Sequence, residues 1–316
     1  MAASVADDRP APGAAEPNHG LRIFLIWLPV AVIADVLLWV VYGPHMPPGR
    51  MSNSAASQQF DIKVMSVIAA PIMAFVLVFG IYALIVWRRR DDDEEDGPPI
   101  HGNARIQTTW ITVTSVIVLF LAGFGTYELV APGFAGAGGG EGPSPIWKPS
   151  GGTPLQVQVI AQQWRFTYRY PQFGGFETTA LMLPVGEPIQ FNVTSLDVIH
   201  SFWAYQLGVK ADANPGVNNV AYTTAEQTGT VTVRCAELCG LWHGAMFNFG
   251  KVVSVAAFRA WATKTEAQLA SITKILPPYA TSYDPTVVPQ INKAMAKAGI
   301  AGANGYYYPP QDPVQP

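Results

Sequence analysis

Two thiols, an imidazole and a thioether lie within twelve consecutive residues of this 316-residue chain, in the sequence CAELCGLWHGAM that runs from Cys235 to Met246. His200 lies 35 residues upstream of Cys235, at the end of a strand-like segment. Soft sulfur ligands combined with imidazole favour copper over magnesium or calcium. Two thiolates that face each other can bridge two copper ions, each of which also takes one histidine.

In such a pair the thioether is a weak ligand of one copper ion, and a backbone carbonyl between the cysteines completes the coordination of the other copper ion. The electron is shared over both metals, so little change in bond length accompanies its transfer. The spacing therefore predicts a dinuclear copper site for rapid one-electron transfer, with ligands from His200, Cys235, Glu237 (through its carbonyl), Cys239, His243 and Met246.

Two other uses of the cysteines stay open at this point. A disulfide between Cys235 and Cys239 is plausible in an oxidising compartment, but it leaves the two histidines and the methionine unexplained. A tetrahedral zinc site with two Cys and two His ligands fits four of the residues. It needs no methionine, and the spacing is atypical of structural zinc.

The composition indicates a membrane protein. Hydrophobic residues make up 49% of the chain and charged residues only 13%, about half the share in average soluble domains. This balance argues against an ordinary cytosolic enzyme. The net charge of −3 predicts no strongly basic face and therefore no nucleic-acid partner.

Three apolar runs account for the low charge, and each is long enough to cross a bilayer, since about 20 helical residues span its hydrocarbon core. They predict an extra transmembrane helix at 21–42 and a transmembrane hairpin at 62–130, with a loop at 88–105. The arginines at both ends of that loop place it in the cytoplasm by the positive-inside rule. The tail 1–20 is then cytoplasmic, and everything after residue 130 is outside.

The first run has a rival interpretation as a secretory leader. Its apolar stretch is longer than a typical leader's, and the preceding segment is not clearly basic. Ser54-Ala55-Ala56-Ser57 could still imitate a cleavage site. Retention is favoured, but the sequence leaves the question open.

Beyond the third run the pattern changes. Residues 131–154 form a Gly/Pro linker, and 155–255 hold short alternating segments separated by Gly, Pro and Asn. These predict an antiparallel sandwich or barrel. Helical spacing follows at 256–276, and the rest of the 256–316 region is an extended Pro- and Ala-rich tail.

The motif CAELCGLWHGAM, preceded by DVIHSFW, resembles the dinuclear copper (CuA) site of subunit II of haem–copper cytochrome c oxidases. The segments IHGNARIQTTW, AQQWRFTYRYP and LGVKADANPG also resemble family segments, so the likeness covers roughly residues 60–260. It implies a membrane-anchored all-β fold: a helical hairpin, here with an extra N-terminal helix, followed by a cupredoxin-like Greek-key β-sandwich.

The resemblance also implies roles and partners. The six residues named above hold CuA, and the Glu237 side chain also reaches a magnesium ion shared with the catalytic subunit; its alternative role is a plain hydrogen-bond acceptor. Trp164 matches the aromatic residue where electrons from cytochrome c enter, although a lone strand Trp is more often core. The chain is then a subunit of cytochrome c oxidase in a bacterial cell membrane, alongside the catalytic subunit I and further oxidase subunits.

Several positions depart from the family pattern. Arg165 and Phe166 stand where the family has other aromatic residues, so the docking patch differs. Gln107 replaces a carboxylate that serves a proton path, and Thr114 replaces a proline. No CxxCH motif for a fused c-type haem occurs, so a separate protein must donate the electrons.

Residues 131–316 carry eleven basic and ten acidic side chains. This nearly neutral balance predicts weak electrostatic steering, and hence a tethered or membrane-bound cytochrome donor. Three rival classes are a quinol oxidase subunit II, which lacks the copper ligands, a CuA subunit of a nitric oxide reductase, and a soluble copper carrier. The complete ligand set opposes the first and the three spans oppose the last. The CuA subunit of a nitric oxide reductase can be told apart from an oxidase subunit only by its catalytic partner, which is a separate protein.

Overall fold

The computed structural model describes residues 17–88, 102–130, 152–276 and residue 293. The helices in these ranges are α1 (His19–Val36), continued by a π-helical segment (Leu37–Tyr42) and a 3-10 turn (Gly43–His45), α2 (Asn53–Val86), α3 (Ala104–Val130) and α4 (Val255–Thr273). The strands are β1 (Leu155–Gln162), β2 (Arg165–Arg169), β3 (Glu177–Thr178), β4 (Leu181–Pro184), β5 (Pro188–Ser195), β6 (His200–Ala204), β7 (Val209–Ala213), β8 (Asn219–Thr224), β9 (Gly229–Cys235) and β10 (Phe247–Val253).

Side-chain caps begin all four helices, because the first backbone N–H groups of a helix have no partner within it. Each capping oxygen accepts from an N–H two or three residues further on. The caps are Asn18 to Leu21, Ser52 to Ala55, Asn103 to Arg105 and Ile106, and Ser254 to Ala257.

Three helices are long and apolar enough to cross a membrane: His19–His45, Asn53–Val86 and Ala104–Tyr127. The predicted spans are thus found, but α2 begins at Asn53 rather than at residue 62. Its 34 residues extend about 51 Å at 1.5 Å per residue, well beyond a hydrocarbon core of about 30 Å. The polar residues at its start were not predicted as helix because hydropathy marks only the part of a helix that lies in lipid.

Backbone contacts divide the chain into two compact units. The first comprises the described residues of Met1–Tyr42 and Lys63–Gly102, and the second those of Gly43–Ile62 and Asn103–Pro316. The β-sandwich, α3, α4 and the start of α2 therefore belong to the second unit. Most of the predicted N-terminal tail, cytoplasmic loop, Gly/Pro linker and C-terminal tail lies outside the described residues.

The sandwich consists of two five-stranded sheets, with strand orders β3-β2-β1-β5-β8 and β4-β10-β9-β6-β7. The expectation of purely antiparallel strands was wrong: β1 pairs parallel with β5, and β4 pairs parallel with β10. The chain moves between the two sheets before it returns to a neighbouring strand, and such a crossover makes parallel neighbours. Large aromatic side chains fill the space between the sheets, among them Phe166, Tyr168, Phe191 and Phe202.

The docking segment, residues 49–59, joins the sandwich although it precedes it by about a hundred residues in sequence. The N–H of Met51 donates to the carbonyl of Gln206 (2.8 Å), and the carbonyl of Met51 accepts from Glu226 (2.7 Å). The Ser52 hydroxyl donates to Leu207 O (2.7 Å) and the Gln58 amide to Gly208 O (2.7 Å). The segment therefore extends the edge of the sandwich by a short stretch of chain. It also holds the start of α2 at that edge.

Gly208 allows this close approach. Its φ is +63°, and a Cβ there would lie 2.6 Å from the backbone nitrogen of Ala55. We expect Gly208→Ala to lower the free energy of unfolding of the sandwich by about 2–4 kcal/mol, from left-handed strain and overpacking together. Chemical denaturation of the purified chain in detergent, followed by near-UV circular dichroism, measures the change.

Gly216 is the matched control, since its φ is +72° but a Cβ there would meet nothing within 4 Å. Gly216→Ala should cost only the strain, about 1 kcal/mol. Equal costs at both glycines would show that the contact with Ala55 contributes nothing.

Candidate metal centre

The six predicted ligands gather at one end of the second sheet. His200 begins β6 and Cys235 ends β9, and these strands pair antiparallel with Phe202 opposite Cys235. The remaining ligands lie on the loop between β9 and β10, which is closed at its base by a hydrogen bond from Cys235 N to Met246 O (3.0 Å). Strand pairing thus places the upstream histidine beside the first cysteine, a contact that spacing alone did not show.

The donor atoms lie around the two sulfurs. The Sγ atoms of Cys235 and Cys239, both free thiols, are 3.7 Å apart. His200 Nδ1 is 3.8 Å from the first sulfur, and the carbonyl of Glu237 is 3.1 Å from it. His243 Nδ1 is 3.5 Å from the second sulfur, and Met246 Sδ is 3.7 Å from it. Each thiol is therefore flanked by one imidazole nitrogen and one further donor.

The centre is buried but close to the surface. His200, Cys239 and Met246 are at most 3% exposed, whereas His243 is partly exposed and the Glu237 side chain is exposed. The donor set of soft sulfur and neutral nitrogen fits copper. The residues present therefore fit a copper centre with one edge near solvent.

Asp197 is a site residue that the sequence did not single out. Its Oδ1 lies 2.8 Å from His200 Nε2, so it fixes the ring with Nδ1 towards the sulfurs. Its carboxylate also accepts from the backbone N–H groups of Gln163 and Val198, both at 2.7 Å. A ligating histidine commonly has such a carboxylate on its other nitrogen. The sequence does show an acidic residue three positions before His200, and this spacing is the one sign of the contact.

Burial and neighbouring groups separate the ionisation of the two thiols. Burial opposes ionisation of Cys235, but hydrogen bonds with His200 and the backbone of Ser201 and Glu237 lower its pKa to about 6. Burial raises the pKa of Cys239 to about 12, and the adjacent Cys235 thiolate adds to the rise. For His200, burial lowers the pKa, but the hydrogen bond with Asp197 prevails and raises it to about 8.

These directions predict proton release on metal binding. We expect copper uptake by the metal-free protein to strengthen between about pH 6 and about pH 8.5, because copper must displace protons held on Cys239 and His200. His200, whose pKa is raised to about 8, is protonated mainly at the acid end, whereas Cys239 keeps its proton throughout this range, so each rise in pH makes the displaced protons easier to release. Titration against a competing chelator at several pH values measures this, and an affinity independent of pH would contradict it.

Trp164 lies against the ligand loop. Its indole Nε1 donates to the carbonyl of Cys239 (3.1 Å), and the same carbonyl accepts from the Gln163 side chain (2.8 Å). Gly240 permits this contact, because its φ is +110° and a Cβ there would lie 2.9 Å from Gln163 Nε2. The side chain is half-buried and packs against the core as well.

Large apolar side chains are exposed at positions next to the ligands in the sequence, and together we call them the apolar rim. Leu241 among them is 83% exposed. We define the rim by Val198, Ile199, Leu238, Leu241, Trp242 and Phe247. Exposed apolar side chains gathered in one place mark interaction surfaces more often than scattered ones do.

Comparison with known proteins finds relatives of this chain in one family. The family model described as cytochrome C oxidase subunit II, periplasmic domain, matches residues 176–253. The chain is 32% identical over 291 residues to cytochrome c oxidase subunit 2 of Synechocystis sp., covering 80% of this chain and 86% of that protein. It is 27% identical over 246 residues to quinol oxidase subunit 2 of Bacillus spizizenii, covering 74% of this chain and 69% of that protein.

Among solved structures, the chain is similar to the periplasmic domain of subunit II of cytochrome oxidase (CoxB) of Bradyrhizobium japonicum. The sequence identity is 30% and the TM-score 0.36, over 38% of this chain and 99% of that chain.

Three membrane-type helices and a sandwich with a buried sulfur–imidazole group define a membrane-type protein with a candidate metal site. The chain belongs to the cytochrome c oxidase subunit II family. The predicted family, the β-sandwich that follows the membrane-type helices and the place in an oxidoreductase complex are confirmed. The family implies a copper centre and a catalytic partner subunit.

Proposed function

We propose that this chain accepts electrons for a haem–copper cytochrome c oxidase. It takes single electrons from cytochrome c at a dinuclear CuA centre and passes them to haem in the catalytic subunit. Oxygen is reduced to water there, and protons are translocated. One observation carries the proposal: two thiols lie 3.7 Å apart, each with an imidazole nitrogen within 3.8 Å.

His200, Cys235, Glu237, Cys239, His243 and Met246 would hold the two coppers, which supply a reversible one-electron couple shared between them. The chain's own contribution is rigidity. Hydrogen bonds close the loop at Cys235 N and Ala236 N, and Asp197 fixes the His200 ring. A ligand cage that hardly moves lowers the reorganisation needed for each electron transfer.

Trp164 is the residue where electrons enter in this proposal. Its indole is hydrogen-bonded to the carbonyl of Cys239, a residue that would hold the coppers through its sulfur. Few covalent bonds therefore separate the ring from the metal. The half-exposed position of Trp164 beside the apolar rim lets a donor approach it.

The Glu237 carboxylate is assigned to a magnesium ion shared with the catalytic subunit. Support comes from its exposure: the residue is exposed to solvent, while its backbone carbonyl lies 3.1 Å from Cys235 Sγ. A hard carboxylate oxygen suits magnesium, and a carbonyl can serve the copper. One residue can thus contact both metals through different atoms.

The membrane helices are the part of the chain that would contact the other oxidase subunits. Ala104–Tyr127 of α3 holds no buried side chain, as suits a helix that packs on the catalytic subunit or on further oxidase subunits. We place the protein in a bacterial cell membrane as a multi-pass subunit, with the sandwich on the periplasmic side. The arginines at 88–90 and 105 support that orientation by the positive-inside rule.

The test is metal content and spectrum of the full chain purified in detergent. Two coppers per chain with a mixed-valence spectrum are expected. One zinc, or no metal with a Cys235–Cys239 disulfide, would refute the copper assignment. Retained activity with a quinol and no copper would instead favour the quinol oxidase class. Co-purification with a nitric oxide reductase would show that the copper assignment is right but that the catalytic partner is not an oxidase.

Donor docking should depend on the apolar rim more than on charge. We expect Leu241→Ser to raise the KM for the cytochrome donor by about threefold to tenfold, since partial burial of a leucine at an interface contributes less than the roughly 1.5–3 kcal/mol of full burial. Glu187→Gln, at an exposed charge paired with Arg259, is the control and should leave KM unchanged. Steady-state turnover at several salt concentrations measures both. A steep salt dependence with a small effect of Leu241→Ser would contradict this docking mode.

A further inference from the structure

α1 and α2 contact each other along the whole length of a membrane span. As the contacts proceed along α1 towards its C-terminus, their partners step back towards the start of α2, so the helices run antiparallel in one register. The pairs are His19 Nδ1 with Tyr82 OH (2.6 Å), Trp27 Nε1 with Pro71 O (2.8 Å), and the Trp39 ring with Lys63 Nζ (4.4 Å to the ring centroid).

These contacts are specific rather than merely apolar. His19 and Trp39 are separated by about 30 Å of helix, which equals the thickness of the hydrocarbon core. Between them, the small side chains of Ala31 and Ala74 are at most 5% exposed. Small buried residues and interhelical hydrogen bonds are the means by which membrane helices associate. A secretory leader needs only an apolar run of suitable length.

Near the end of α2, aromatic rings extend the interface. The His19 ring centroid lies 5.5 Å from that of Trp87 and 5.8 Å from that of Tyr82. Trp27 contacts Phe75 edge to face, with centroids 6.3 Å apart. Loss of α1 would leave the Tyr82 hydroxyl and the Lys63 ammonium group without these partners inside or beside the lipid, where unmet polar groups are costly.

The candidate cleavage sequence Ser54–Ser57 lies in the first turns of α2, within the docking segment. Ser54 is 4% exposed and Ala55 fully buried. The Ser52 hydroxyl caps this turn and also donates to the sandwich. Proteases act on exposed, extended chain, whereas all four residues are helical, the first two are buried and the last two are only partly exposed.

We propose that α1 is a permanent transmembrane helix of the mature protein, a third membrane anchor packed on α2, and that Ser54–Ser57 is not a processing site. The proposal concerns the mature chain, and it does not depend on the copper centre. With α1 retained, the N-terminal tail lies on the same side of the membrane as the loop at 88–105.

The test is a map of native N-termini. The protein is purified from its own membranes through a C-terminal tag, its free N-termini are labelled, and the chain is digested with trypsin. Retention predicts an unlabelled Met51–Lys63 peptide that spans the candidate site intact, together with peptides from α1. A labelled N-terminus anywhere between residues 43 and 61 would overturn the proposal, whatever the copper content.

A pair of variants tests whether the interface is used. Trp27→Leu removes the indole donor to Pro71 O, while Leu25→Ala alters a side chain of α1 that is 60% exposed. We expect at least a twofold loss of the membrane-inserted chain for Trp27→Leu only, with copper per remaining chain unchanged. Equal amounts for both variants and the wild type would show that the α1–α2 contact does not stabilise the mature protein.

Discussion

Cys239→Ser is expected to abolish both coppers and reduce electron transfer from cytochrome c to background. Cys239 Sγ lies within 3.7 Å of three other donors, namely Cys235 Sγ, His243 Nδ1 and Met246 Sδ. A hydroxyl in its place is a poor ligand for copper and cannot bridge two metals by a soft sulfur. The chain has only these two cysteines, so no other thiol can substitute. Copper analysis and the visible spectrum measure the loss.

Two controls separate loss of the centre from loss of the fold. Met246→Leu removes the weak ligand but keeps both thiolates, so two coppers should remain with an altered reduction potential. Ser201→Ala changes a buried neighbour of His200 whose hydroxyl finds no hydrogen-bond partner among the described residues, and it should be neutral. If Cys239→Ser kept two coppers and the mixed-valence spectrum, the bridged arrangement would be wrong.

Trp164→Phe is expected to slow electron uptake from the donor at least about tenfold, or about 1.4 kcal/mol in activation free energy, without loss of copper. Phenylalanine keeps an aromatic ring but cannot donate to the carbonyl of Cys239, so the ring loses its hydrogen-bonded connection to the ligand loop. Stopped-flow reduction of the copper centre by reduced cytochrome c measures the rate.

Trp203→Phe is the matched control, because Trp203 also lies in the sandwich, but its ring contacts Tyr205 and Lys210 instead of the ligand loop. Its rate should equal that of the wild type. A loss of copper in Trp164→Phe would indicate that this tryptophan holds the loop in place and has no separate part in electron uptake.

The membrane spans and the ligand set were readable from the sequence because both are local. Apolar run length shows a span directly, and five of the six ligands fall within twelve residues. Asp197 was missed because its role depends on where the start of β6 places the His200 ring. Several strands were also missed, including β4 and β8, whose residues are nearly all buried and therefore show no alternation.

The start of α2 escaped prediction for the same physical reason. Ser54, Gln58 and Gln59 are polar, so the hydropathy pattern ends before them, yet they are held by the sandwich and by the preceding loop. The parallel pairings of β1 with β5 and β4 with β10 were also beyond local reasoning. Register and direction are set by which strands share a sheet, and a single sequence does not contain that information.

The docking segment has a consequence for the order in which the protein matures. Ser52 and Leu207 are 155 positions apart in the chain, so the sandwich edge is closed by a part synthesised long before it. Closing so large a loop is slow and entropically costly. Both α2 and α3 lie between Ser52 and Leu207 in the sequence, so both helices are synthesised before the part of the sandwich that the docking segment contacts. The sandwich edge that Met51 and Ser52 complete can therefore form only after α2 and α3 have been synthesised.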